Sequence, residues 1–400
     1  MKFNPWTVAL LGAGIVSVPA MAEEKPNFVQ TALSSTTLSG YVDTSVQWNF
    51  GTGNENLPPY AFGGPGKADG FNLNVVELRL DKPVDAADVW GAGYHVDLIA
   101  GPDANALSTQ SSGLGTGADF GVKQAYLALH APIGNGLDFK LGVWDTIIGY
   151  EVFESANDPN FTRSYGYTFE PTTHTGLLTT YQVSEILSVN LGIANTFGST
   201  INGRAFQPTP PNSQAESWKT YLASFTLTAP TNTGFLAGST LSACIINGFN
   251  QSLFDLTSGQ SGANETHYYV GGTMNTPVSG LKFGTAFDYI DVHNAHGDIY
   301  SLGAYAAFQA TEKLSFYGRA EYARQRGDFL LLAPLPEKTM EFTATMQYDL
   351  WKNVLSRLEL RWDHSLSGEK VWGPIRENET GVTAGLRNEF ELIANLVYKF

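Results

Sequence analysis

Residues 389–400 read EFELIANLVYKF, and their side chains alternate between two faces. Phe390, Leu392, Ala394, Leu396, Tyr398 and Phe400 share one side. Glu389, Glu391, Asn395 and Lys399 share the other, with Ile393 and Val397 as apolar exceptions. Successive side chains of a strand point to opposite faces, and a tilted strand of about ten residues crosses a bilayer. One such segment would be an ordinary amphipathic strand. The pattern recurs along nearly the whole chain in about sixteen segments, which predicts an all-β fold: a transmembrane antiparallel up-and-down β-barrel.

The N-terminus has the form of an export signal. Lys2 supplies a positive start, Val8 to Val18 is apolar, and Ala20-Met21-Ala22 has the small-x-small form of a cleavage site. Residues 1–22 are therefore expected to be a signal peptide, 23–36 a short N-terminal segment and 37–400 the barrel. The apolar run is shorter than the ~18 residues a membrane helix needs. With only the short segment before Thr37, no plug domain is expected. Charged residues make up 15% of the chain, below the ~25% usual for globular proteins, as expected where half of each strand faces lipid. With 38 acidic and 23 basic side chains the formal charge is −15 and no basic tract exists, which argues against nucleic acid as a partner. Cys244 is the only cysteine, so it cannot form an internal disulfide and is expected as a buried thiol.

The first strand is expected over Thr37 to Phe50, with Val42, Thr44, Val46, Trp48 and Phe50 on one face. In the second, Phe71, Leu73 and Val75 share a face and the phase slips at Val75-Val76, the mark of a bulge. Residues 241–246 are apolar on both faces and leave the ninth strand's register open. Connections alternate in length. Short ones with turn chemistry fall at Asp81-Lys82-Pro83, 132–136, Ser184-Glu185, 230–232, 277–280, 310–312 and Trp351-Lys352. Long ones fall at about 51–69, 101–117, 145–171, 198–216, 251–265, 325–338 and 365–385. The count is about sixteen, with about fourteen or eighteen open because one weak hairpin changes it by two. Aromatics such as Trp48, Phe71 and Trp362 toward the long-loop side, and Trp90, Phe316 and Tyr398 toward the short-turn side, would form two interfacial girdles.

A barrel this wide leaves an aqueous lumen, so function depends on what narrows it. The connection from Asp145 to Pro171 is long and rich in aromatics, which argues against disorder. Folded inward, it would place Glu151, Glu154, Asp158 and Arg163 in the pore. Arg319 and Glu321 on the thirteenth strand, and Arg357, Glu359 and Arg361 on the fifteenth, occupy the polar face of the opposite wall. Charges facing each other across a gap would set up a transverse field; lumen-facing salt bridges that only stiffen the wall account for the same residues. The acidic excess implies a lean toward cations. Asp291, His293, His296 and Asp298 fall in one connection but read as a polar loop tip, so no metal site and no cofactor are expected. His130 and His174 have no identifiable partner, and no G-x-S-x-G is present, so the chain reads as a non-enzyme.

The segment from Gly149-Tyr150-Glu151 through Asn160-Phe161-Thr162-Arg163-Ser164-Tyr165 to Pro171, then His174-Thr175-Gly176, resembles the putative β-barrel porin-2 family of OmpL-like outer-membrane porins. The terminal Phe400, after Tyr398 and Leu396, is similar to the assembly signal that ends many outer-membrane proteins. The resemblance implies passive diffusion of small hydrophilic solutes and ions, a Gram-negative outer membrane with its lipid and lipopolysaccharide as surroundings, and no cofactor. By analogy with trimeric porins it implies an inward third loop and a homotrimer. The alternatives are a substrate-selective channel, for sugars or similar solutes, and a closed barrel with a structural or adhesive role.

Overall fold

The computed structural model describes residues 35–51, 55–85, 89–107, 119–205, 216–255, 260–293, 297–326, 334–373 and 385–400. The expected signal peptide and most of the segment that follows lie outside them. Sixteen antiparallel strands close into one barrel, each paired with its sequence neighbours and β1 paired with β16. They are β1 Thr37–Phe50, β2 Gly70–Lys82, β3 Gly91–Ala100, β4 Phe120–Ala131, β5 Leu137–Asp145, β6 Thr173–Gln182, β7 Leu187–Ala194 and β8 Thr220–Thr228. The second half comprises β9 Thr240–Asp255, β10 Gln260–Asn275, β11 Leu281–Val292, β12 Gly297–Gln309, β13 Leu314–Arg326, β14 Lys338–Trp351, β15 Val354–Ser365 and β16 Asn388–Lys399. Among the described residues two short α-helices lie between strands: α1, Pro102–Leu107, and α2, Tyr165–Phe169.

Closure follows from the need to pair every backbone amide where no water can serve. Gly40 N donates to Phe400 O at 3.0 Å and Phe400 N to Gly40 O at 2.9 Å. The alternation of β1 and β16 is realised as read: Asp43, Ser45, Gln47 and Asn49 are buried inside, as are Glu389, Glu391, Asn395 and the two apolar exceptions Ile393 and Val397. Apolar residues cover the outside, with Phe71 at 90% and Trp90 at 71% exposure near opposite ends.

Two boundaries differ from the sequence reading. The bulge in β2 is at Asn74, which the β1 ladder skips between Val75 and Leu73. Asn74 and Val75 therefore both turn inward, and Val75 does not share the lipid face of Phe71 and Leu73. Residues 251–265 are not a long loop, because β9 runs to Asp255 and β10 starts at Gln260. The sequence there, QSLFDLTSGQSGANE, does not alternate between apolar and polar residues, so these strand ends leave no period-two signal. Cys244 is a free, buried thiol, as expected.

Candidate functional site: the loop inside the barrel

Residues 146–172, between β5 and β6, fold into the lumen and pack against its wall. Two glycines permit the approach. Gly149 has φ +113°, and a Cβ there would meet Glu170 Oε2 at 2.5 Å. Gly284 on β11 leaves room for Tyr150, whose hydroxyl oxygen would be 2.1 Å from a Cβ at that position. Tyr150 then stacks on Tyr305 with centroids 4.0 Å apart.

The wall residues expected to face the loop across water are bonded to it instead. Arg319, Glu321, Arg357, Glu359 and Arg361 are each at most 3% exposed. Arg319 donates to Glu341 at 3.0 Å, to Glu151 at 2.9 Å and to the Thr162 carbonyl at 2.6 Å. Glu359 accepts from the amides of Phe161 (2.6 Å) and Thr162 (2.8 Å). Glu321 accepts from the amides of Tyr165 and Gly166, both at 2.7 Å, so a carboxylate satisfies the first free N–H groups of α2. Arg357 donates to the Ser155 carbonyl and Arg361 to the Arg163 carbonyl, each at 2.7 Å. Arg361 is also paired with Asp363 at 2.8 Å. This set anchors the loop, and the gap that a transverse field would need is absent on this side.

The four loop residues separate into two groups. Asp158 and Arg163 pair with each other at 3.1 Å, both buried. Burial pushes the Asp158 carboxyl up to about 8 despite the Arg163 guanidinium. Glu151 and Glu154 instead border a cavity of about 510 Å³ between the loop and the wall from β2 to β8. Glu154 accepts from Lys123 at 2.8 Å and Arg79 at 2.9 Å. Burial works against its charge, but those two cations hold its carboxyl below the usual range. Glu77, Asp97 and Glu154 converge to within 4.8 Å, and Arg79 also pairs with Glu77 (3.1 Å) and Asp97 (2.8 Å), so each of the three carboxylates has a cation beside it.

Arg79, His95, Lys123 and Lys140 were not singled out from the sequence. For Arg79, His95 and Lys140 the usable signal was parity, which puts each at an inward position on β2, β3 or β5. Lys123 is the extra residue of a bulge in β4, skipped by the β3 ladder between Gln124 and Val122, so it turns inward against the alternation. On the long-loop side of the loop a vestibule of about 700 Å³ is lined by apolar groups, among them Leu57, Tyr60, Phe62, Phe169 and Phe197. Vestibule and inner cavity both border Tyr167, Glu170, Pro171 and Thr172.

Both histidines read as partnerless have partners. His130 Nδ1 is 2.7 Å from Asp138, and His174 Nε2 is 3.1 Å from the Thr146 hydroxyl, beside Trp144 and Phe197. Asp298 is taken by Arg324 at 2.7 Å, and His293 faces Asp291 at 3.5 Å; His296 lies outside the described residues.

Among solved structures the chain is similar to the outer membrane channel DcaP of Acinetobacter baumannii, at 12% identity and TM-score 0.56, over 93% of this chain and 99% of that one. It is similar to an anion-selective porin from Comamonas acidovorans, at 12% identity and TM-score 0.56, over 92% and 99%. It is also similar to in-vitro folded OmpT of Vibrio cholerae in its trimer form, at 13% identity and TM-score 0.53, over 91% and 99%. At such identities the likeness carries the fold alone. No curated protein sequence matches the chain. The model of the putative β-barrel porin-2 family, OmpL-like, matches residues 35–400, and the chain belongs to that family of outer-membrane β-barrel porins.

Proposed function

We propose that this porin is a passive diffusion channel for small hydrophilic solutes and ions, exported by a cleaved signal peptide and seated in the outer membrane among lipid and lipopolysaccharide. The observation that carries the reading is the pair of cavities on either side of the loop. They share Tyr167 and Glu170 to Thr172 as their common border. Solutes would enter the apolar vestibule, pass this border and leave past Arg79, Lys123 and Lys140 toward the short turns. Glu151 and Glu154 narrow the inner half of the route, while Asp158 and Arg163 hold the loop in shape. No catalytic step and no cofactor belongs to this reading. A homotrimer is proposed by analogy with the trimeric form of OmpT.

Single-channel conductance in a planar bilayer tests it. The wild type should show stable conductance in KCl, and Tyr167→Ala, which removes a ring from the shared border, should raise it. Folded protein that never conducts would favour a closed structural barrel. An unchanged current in Tyr167→Ala would place the constriction elsewhere.

A further inference from the structure

Among the described residues, one cation of the inner cavity has no ion-pair partner. Arg79 is taken by Glu77, Asp97 and Glu154, and Lys123 by Asp145 and Glu154, both at 2.8 Å. His95 lies between Asp81 at 2.8 Å and Asp97 at 2.9 Å. Lys140 on β5 has no carboxylate within ion-pair distance among the described residues. Its ammonium is 4.8 Å from the ring centre of Tyr126, which stacks on His95 at 5.2 Å. A half-buried ammonium with no carboxylate in direct contact is a poor stabiliser of the fold and a good receptor for an anion.

The adjoining wall has a different chemistry. Thr180, Ser188, Asn190 and Thr226 border the same cavity from β6, β7 and β8. Thr180 Oγ1 donates to Asn190 at 2.6 Å and Asn190 Nδ2 to Ser224 at 3.0 Å. This chain leaves hydroxyl lone pairs free to accept, and the Ser188 hydroxyl makes no hydrogen bond among the described residues. The volume, about 510 Å³, is within the ~300–1,000 Å³ of ligand-sized clefts.

We propose that this cavity is a binding site for hydroxylated monocarboxylates, the sugar acids, with the carboxylate on Lys140 and the hydroxyls on the Thr180–Ser188–Asn190–Thr226 wall. The inference rests on the channel reading above and adds a solute class to it. One free ammonium balances one negative charge. A second carboxylate would have to approach Asp145 and Glu154, whose cations are already engaged. A neutral sugar gains nothing from Lys140, and a plain alkanoate leaves the hydroxyl wall unmatched.

The test is solute-induced interruption of the KCl current through the purified full-length protein in a planar bilayer, with sodium gluconate, glucose and sodium hexanoate as probes. Gluconate should interrupt the current at concentrations where glucose and hexanoate do not. Lys140→Gln should weaken gluconate binding about tenfold or more, the value of a lost charge-assisted hydrogen bond. Lys140→Arg should retain most of it, and heat-modifiable electrophoretic mobility checks that each variant is folded. Equal interruption by gluconate and hexanoate, or a Lys140→Gln channel that binds gluconate as the wild type does, would overturn the site while the KCl conductance still supports the porin. Loss of KCl conductance in the folded wild type would overturn both.

Discussion

Arg319 joins three parts of the lumen at once: its own strand β13, Glu341 on β14, and the loop through Glu151 and Thr162. Its guanidinium is fully desolvated, so its value is tied to geometry. Arg319→Ala should cost the docked loop about 3–5 kcal/mol, because Glu151 and Glu341 are left as buried charges without a counter-ion. The barrel itself should survive, since its ladder does not involve this side chain. The expected result is a folded protein with larger, noisier single-channel currents and cleavage within 146–172 by added protease. Arg319→Lys should behave much the same, because an ammonium cannot span Glu341 and the Thr162 carbonyl together. A quiet wild-type current in Arg319→Ala would show that the loop is held by its other contacts. Parity along β13 and β15 put these wall residues on the inner face correctly because alternation is a local property. Their partners were not legible, because Glu359 and Phe161 meet across 198 positions of sequence.

At the scale of the loop, the docked state binds protons that an undocked loop would release. The Asp158 carboxyl faces Arg163, Glu151 and the amide of Val152, and its backbone carbonyl faces Arg357. Burial raises it from the ordinary 3.8 to about 8. Burial also raises Glu170 well above the carboxylate range, with Asp288 and Glu151 adding to the effect. A group whose pKa is higher in the docked state stabilises docking most below its free value and loses that contribution as pH rises through the docked value. Docking through Asp158 should therefore weaken between about pH 4 and pH 8. Current fluctuations and loop proteolysis should increase from pH 6 to pH 9, and Asp158→Asn, which keeps the shape and removes that titration, should reduce the increase, leaving the part that belongs to Glu170. An increase toward acid pH would refute the assignment. The loop's existence and inward course were readable from its length and aromatic content. The same reasoning failed at 251–265, where β9 and β10 extend without alternation, and at β2, where one extra residue, Asn74, shifts the phase by one position.

At the scale of the whole molecule, the strand number and the order of short and long connections were readable because lipid imposes one period on every strand. The layout of charge in the lumen was not. A net charge of −15 suggested a cation lean, yet among the described residues most acidic side chains inside the barrel are tied to cations or amides, and the inner-cavity cation without an ion pair is Lys140. Closure adds a requirement that no single strand displays. Gly40 sits where β1, β2 and the C-terminus meet. A Cβ there would lie 2.1 Å from the Glu77 carbonyl oxygen and 2.8 Å from the Phe400 ring. The first contact is with backbone, so a side chain at Gly40 must push β2 away, whereas the ring of Phe400 can turn aside. Gly40→Val is therefore expected to lower the yield of folded barrel severalfold, at roughly 1–3 kcal/mol for overpacking. Phe400→Ala keeps the backbone pair between Gly40 and Phe400 and should fold in detergent close to wild type. The heat-modifiable folded fraction after refolding reads both. Gly40→Val folding as well as Phe400→Ala would mean that the β1–β2 seam has slack, and that closure rests on the β1–β16 ladder alone.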